Sequence, residues 1–432
     1  MMGKRRRQSS IALAGAITTG ALVASGMVLG EVIRSQVVAP TRARTLLDTT
    51  VQFTARGTVI LPGVHKSWTP LTGIRTARSV YRLGPLSEPV DPSRTSGCER
   101  PVTRMFGPEE APGTYGARFY TYQWFSAKEA GLNERFEAVP TPYGTAPAKI
   151  WTAPQVAQQS DTWVIGVHGR SAVHEELLRM ATISCSRGFP FMAISYRNDQ
   201  VGGPHTDGVS RMGSTEWEDL DWAIRHAQQS GAKRVILLGA SQGASLIGYW
   251  LAKAKTDPDA LVSNPSGIAG VILDSPLIRG SAALRAAIHS SGVPSGVDRF
   301  LTMATSGWMG VRGPQHVITV NHLNTFKTSN LPTLLFVGMK DTMMSPEPAL
   351  RLSKADHVTS VIDDQAEHVE VYNESEETYT EVMAAWLEHI ADPIYHPSAP
   401  VRSGDHLPPF TPDETDDSSN LETEQIVTRK HT

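Results

Sequence analysis

Cysteine is nearly absent from this chain: two residues, Cys98 and Cys185, in 432. That excludes a disulfide-stapled scaffold and a Cys-rich metal domain. Excess charge of one sign is absent as well. Forty Lys and Arg stand against 43 Asp and Glu, a net of −3, so no bulk attraction to nucleic acid is expected. The chain has no Gly-rich phosphate loop, no dinucleotide fingerprint, no His-Glu-x-x-His and no Cys-x-x-Cys. It also shows no internal repeat. Neither a cofactor nor a metal is expected from these residues.

What is present is globular in composition, with 40% hydrophobic and 19% charged residues. The length allows two to four domains, or one large α/β domain with additions. The ends differ from the middle. Lys4-Arg5-Arg6-Arg7 is followed by a stretch without charge from Gln8 to Gly30. Ile11–Gly30 as a helix would be about 30 Å long, the thickness of a bilayer core. Residues 1–33 are therefore expected to be a basic N-terminus and signal-anchor. The alternatives are a cleaved signal peptide, with Ala24-Ser25-Gly26 as an exit, or a segment that does not insert. An anchor or a cleaved signal would put the remaining chain outside the cytoplasmic membrane. There Cys98 and Cys185 could pair; otherwise they are two unrelated buried thiols. Residues 392–432 carry six prolines and eight acids against three bases, which predicts a disordered acidic tail.

The middle alternates strand and helix. Apolar runs at Thr162–Val167, Pro190–Tyr196, Arg234–Gly239, Gly270–Asp274, Thr333–Gly338 and Thr359–Asp363 read as strands, most of them buried on both faces. Helical spacing falls on Glu175–Arg187, Ser214–Ser230, Gln242–Lys255 and Glu374–Ile390, with Ser214 or Thr215 as N-cap of the second. Such alternation predicts a mostly parallel sheet with helices on both faces. Thr49–Ala153 reads as β-rich, with candidate strands Val51–Thr54, Thr58–Leu61, Phe119–Phe125 and Ala148–Trp151.

Gly239-Ala240-Ser241-Gln242-Gly243 falls where a strand meets a helix. A serine hydroxyl is a weak nucleophile that must project clear of the backbone toward a base. A sharp strand-to-helix turn achieves this, and small residues at −2 and +2 relieve its crowding. The helix N-terminus supplies N–H groups for a developing oxyanion. The bland alternative makes Ser241 an ordinary helix cap.

These residues, with His168-Gly169-Arg170 after one strand, Gly338-Met339-Lys340-Asp341 after a late strand and Glu367-His368 after the last, resemble the α/β-hydrolase family of serine hydrolases over roughly residues 49–391. Tyr196-Arg197-Asn198-Asp199 is also similar to bacterial members with a single N-terminal anchor. The resemblance implies an α/β-hydrolase fold with a helical cap insertion over 279–328 and an N-terminal β-rich extension. It implies the chain order nucleophile, acid, base. Ser241 is then the nucleophile. His368, past the last strand and before the closing helix, is favoured as base over His289, His316, His322, His357 and His389. Asp341 is favoured as acid over Asp274, which would be a structural hydrogen-bonder. The oxyanion donors would be the backbone N–H groups of Gln242 and Arg170, with Gly169 permitting close approach. The Arg170 side chain either meets an anionic substrate group or forms a surface salt bridge. The insertion, with its stripe of Phe300, Leu301, Met303, Ala304 and Trp308, is either a lid or core packing.

The expected activity is cleavage of an ester, with a thioester or amide as variants, through an acyl-enzyme. The partners would be a small-molecule or lipid-like acyl substrate and, through the N-terminal helix, a membrane. Two other classes stay open: a serine peptidase of the same fold, and a catalytically silent hydrolase fold that binds or scaffolds.

Overall fold

The computed structural model describes residues 24–29, 31, 49–61, 73–84, 98–120, 124–199, 203, 209–290, 292–294, 296–312, 319–391 and 401–402. Most of the expected signal-anchor and of the acidic tail lies outside them. Within them, 24–29 is helical, and Val401–Arg402 is an edge strand where the tail was expected to be structureless. No helix among the described residues is long and apolar enough to cross a membrane.

Six strands close into a small barrel: β1 (Thr49–Phe53), β2 (Thr58–Leu61), β3 (Gly73–Arg75), β4 (Val80–Leu83), β5 (Cys98–Phe106) and β6 (Gly113–Tyr120), in the order β1-β2-β5-β4-β3-β6. Alternation along each strand turns Val51, Phe53, Val59, Leu61, Ile74, Tyr81, Leu83 and Ala117 into one buried cluster. The β-rich extension is thus a barrel with its own core. The strand expected at Phe119–Phe125 is displaced: β6 ends at Tyr120, and the Phe125 N–H bonds the Glu129 carboxylate at 2.8 Å to open a turn.

The second unit is a nine-stranded sheet. Its strands are β7 (Asn133–Thr141), β8 (Gly144–Thr152), β9 (Thr162–Val167), β10 (Phe191–Ile194), β11 (Arg234–Ala240), β12 (Ile268–Asp274), β13 (Thr333–Gly338), β14 (Val358–Asp363) and β15 (Val401–Arg402). The order is β15-β14-β13-β12-β11-β9-β10-β8-β7. β8 runs antiparallel to both its neighbours, and every pairing from β10 to β15 is parallel. The central strands β9, β10 and β13 are buried at every residue, as short, mostly apolar runs without polar alternation dictate.

Helices cover both faces. On one face α1 (Leu178–Ser186) packs with the closing helix region, where Tyr379, Val382, Met383 and Trp386 are buried. On the other lie α2 (Trp217–Gln229), α3 (Gln242–Thr256) and further cover from Phe326 and Leu352. α2 begins three residues after Ser214 and two after Thr215, the expected caps. Glu216 precedes it, and its buried carboxylate accepts from the N–H groups of Arg211, Gly213 and Thr215. A buried acid satisfying that many backbone donors outcompetes a hydroxyl cap.

The insertion holds α4 (Gly280–Ser290), α5 (Val297–Arg312) and α6 (Leu323–Ser329). Its two ends are stitched together: the Gly280 N–H bonds Val320 O at 3.0 Å, and the His322 N–H bonds Ile278 O at 2.9 Å. Leu284, Ile288 and Leu301 pack α4 on α5, and Leu29 joins them. Met303 departs from the expected apolar stripe, being 74% exposed. Four-residue spacing from Arg299 puts it on the outer side of α5. Three more helices follow β13: α7 (Pro346–Leu352), the single turn α8 (Val371–Glu374) and α9 (Glu376–Ala391).

The strand order, the antiparallel second strand of the sheet, and a strand–Gly-x-Ser-x-Gly–helix turn at its centre make this the α/β-hydrolase fold.

Candidate active site

Ser241 ends β11 and starts α3 with φ of 50° and ψ of −113°, a left-handed backbone carried by a residue with a Cβ. The strain is held by bonds on both sides. The Ser241 N–H donates to Asp274 O at 2.9 Å, and the Ser241 carbonyl accepts from Leu277 N at 3.0 Å and Ala244 N at 3.2 Å. The flanking glycines are dictated by space. A Cβ on Gly239 would lie 2.6 Å from Ala244 N, and one on Gly243 2.1 Å from Val167 O.

β13 and β14 are parallel neighbours, so their C-terminal loops emerge side by side. Asp341 comes from the first loop and His368 from the second. His368 Nδ1 lies 2.7 Å from Asp341 Oδ2, and His368 Nε2 lies 2.8 Å from Ser241 Oγ. The other Asp341 oxygen accepts from the N–H groups of Met343 and Met344 at 2.9 and 2.7 Å, which fixes the carboxylate plane. With Nδ1–H donating to Asp341, Nε2 is left to accept the serine proton. Val369, next to the base, has φ of 59°, and its N–H is held by Ser275 Oγ at 2.9 Å. Ser275 is thus a support for the histidine loop that the sequence analysis did not pick out.

Among the described residues, none of the rejected alternatives bonds the Ser241 hydroxyl or the His368 ring. Asp274 is fully buried under the sheet end, accepts from Tyr379 Oη at 3.0 Å, and has its pKa pushed up by burial. His322 pairs with Ser245 Oγ at 3.1 Å, and burial pulls its pKa down to about 4. His357 faces Phe326 O, His289 lies 3.8 Å from Asp298, and His389 is inside α9. His316 lies outside the described residues.

The expected oxyanion donors flank the nucleophile. Gln242 is the first residue of α3, where a backbone N–H has no intrahelical acceptor. The loop 168–170 passes directly over the elbow, with the Cβ position of Gly169 3.2 Å from Ser241 Cβ. Arg170 is half-buried, and burial lowers its pKa. Cys185 corrects the disulfide alternative: it is a free, buried thiol whose S–H donates to Trp151 O at 3.2 Å, with its pKa pushed up to about 12. Among the described residues no group of three or more His, Cys, Asp or Glu could hold a metal ion.

No family model matches the chain, and no curated protein sequence matches it. Solved structures do resemble it. The esterase Pf2001 of Pyrococcus furiosus is 18% identical with a TM-score of 0.46, over 61% of this chain and 94% of that one. A thermophilic esterase from Thermogutta terrifontis, with malate bound, is 16% identical with a TM-score of 0.41, over 60% of this chain and 100% of that one.

Proposed function

We propose that the chain is a serine hydrolase that cleaves an ester through Ser241, His368 and Asp341. The single observation that supports it most is the unbroken relay of two short hydrogen bonds from Asp341 through His368 to a strained, outward-turned Ser241. His368 Nε2 takes the Ser241 proton as Oγ attacks the acyl carbon. Asp341 stays ionised and stabilises the imidazolium. The N–H groups of Gln242 and Arg170 take the oxyanion. His368 returns its proton to the leaving oxygen, then deprotonates the water that releases the acid. A thioester would follow the same steps with a sulfur leaving group.

The acyl group proposed is apolar. Met212, Leu277 and Val320 form a small buried cluster joined by Met344. Two of its members are tied to the triad: Leu277 N–H to Ser241 O, and Met344 N–H to Asp341 Oδ1. The uncharged run behind Lys4-Arg5-Arg6-Arg7 supports a further part of the proposal, that the N-terminus holds the catalytic unit at the outer side of a membrane.

The test is fluorophosphonate labelling and hydrolysis of p-nitrophenyl esters of rising chain length. Wild type should label at Ser241 and turn over, and Ser241→Ala should do neither. Well-folded wild type that neither labels nor turns over any ester would leave a silent binding fold.

A further inference from the structure

The loop that carries one oxyanion donor rests on a buried histidine. His168 is wholly out of solvent. Its Nδ1 lies 2.9 Å from Gly169 O, and its Nε2 lies 3.2 Å from Asp199 Oδ2. Both partners are acceptors. Asp199 also accepts from Tyr196 N–H at Oδ2 and from Gly203 N–H at Oδ1, each at 3.0 Å; burial pushes its pKa up, but these bonds and His168 outweigh it and hold the carboxyl below its ordinary value, in the ionised form. A neutral imidazole has one N–H and one lone pair, and either tautomer would set that lone pair against an acceptor oxygen. Only the imidazolium satisfies both contacts.

Gly169 O belongs to the same peptide unit as the Arg170 N–H. In a trans peptide the two point in opposite directions. Holding the carbonyl toward His168 therefore aims the N–H away from the buried network, on the side where the loop crosses Ser241. The Ala172 N–H and Tyr196 Oη also reach Gly169 O, each at 3.3 Å, and the Glu176 carboxylate holds the Gly169 N–H at 2.8 Å.

We infer that His168 is a positioning residue that, as an imidazolium paired with Asp199, latches the Gly169–Arg170 peptide with its N–H turned to the oxyanion, so that loss of the His168 proton switches the hole off. The inference rests on the hydrolase reading of Ser241. Deprotonation would put a lone pair against Gly169 O and favour reversal of that peptide, which replaces an N–H donor with a carbonyl oxygen.

Titratable groups meet the His168 ring from two elements. From the loop after β10 come Asp199 and Tyr196, whose ring stacks at 4.8 Å. From the turn before α1 come Glu176 and His174, whose ring centroid is 6.0 Å away. Burial pulls the His168 pKa down, but the hydrogen bond and charge of Asp199, with smaller help from Gly169 O and Glu176, carry the net shift upward. His174 does not compete for the proton: burial and the charge of His168 push its pKa to about 3.

The experiment is a titration of ring-15N-histidine protein by NMR, beside pH profiles of ester hydrolysis. At pH 7.5 both His168 nitrogens should be protonated, and kcat should fall on an alkaline limb that tracks their titration. Asp199→Asn should move that limb to lower pH and cost kcat about 10²-fold at pH 8, the usual loss of one oxyanion donor. KM should move much less, because the donor acts in the transition state. His168→Asn puts an amide nitrogen where Nδ1 stood, so it should recover turnover relative to His168→Ala and show no alkaline limb. A packing role alone would make Asn and Ala equally poor. A neutral His168 at pH 7.5, or an Asp199→Asn profile that overlays wild type, overturns the latch. Absence of fluorophosphonate labelling in wild type would sink the hydrolase reading instead, and the NMR titration would still judge the protonation state by itself.

Discussion

Gly243 in the first turn of α3 and Val167 at the end of β9 approach so closely that a Cβ on Gly243 would stand 2.1 Å from the Val167 carbonyl oxygen. Two neighbouring parallel strands thus deliver the nucleophile and the oxyanion loop to one place, and the only slack between them is a missing methyl group.

Gly243→Ala should therefore damage both stability and catalysis. Backbone must shift to admit the methyl, at a cost of about 1–3 kcal/mol for overpacking a tight site. Urea unfolding should show the loss, and kcat should fall more than KM rises. A variant as stable and active as wild type would show that the elbow has room the geometry denies it.

Asp341→Asn should leave Ser241 and His368 in place but favour the wrong imidazole tautomer. A fall in kcat of about 10⁴-fold is expected. Asp274→Asn should keep turnover within about tenfold and act on stability instead, since its carboxylate bonds Tyr379 Oη and not the His368 ring. Steady-state kinetics of the two variants side by side decides between the acids.

Burial has a readable sign at His322. Its folded pKa of about 4 lies below the unfolded value of about 6.5. Protons bind the unfolded chain first, so the stability from the neutral, buried ring is present above pH 6.5 and is lost as pH falls toward 4. The slope approaches about 1.4 kcal/mol per pH unit. His322→Gln, which keeps a donor for Ser245 Oγ and does not titrate, should flatten this acid limb in urea melts taken between pH 7 and pH 4.

The Cys185 thiol, buried and with its pKa raised to about 12, should be inert in the folded protein. In a Cys98→Ser background, Ellman's reagent at pH 8 should find no reactive thiol until denaturant is added, then one. Immediate reaction would contradict the burial.

Much of the sheet was legible because its strands are short unbroken apolar runs punctuated by helices, a pattern that survives without any knowledge of partners. Thr162–Val167 and Thr333–Gly338 are where the pattern put them. The barrel was only half legible. β3 and β4 are three and four residues long and gain their order from pairing with β6 and β5, far along the chain, so neither run is apolar enough to announce itself. The same holds within the site. Ser241, Asp341 and His368 could be chosen because each follows a recognisable strand. Ser275 and the His168–Asp199 pair could not, since their meaning lies in which donors and acceptors face each other across 94 and 31 residues of chain.

By itself the sequence determined the local events: a glycine-flanked serine at a strand end, an acid and a histidine after later strands, an uncharged N-terminal run. Tertiary structure alone decided that those later strands lie side by side, that Asp274 turns under the sheet while Asp341 turns to the imidazole, and that a buried histidine meets two acceptors and so must keep its second proton. Local pattern fixes backbone state; only packing fixes which polar groups, once removed from water, have to satisfy one another.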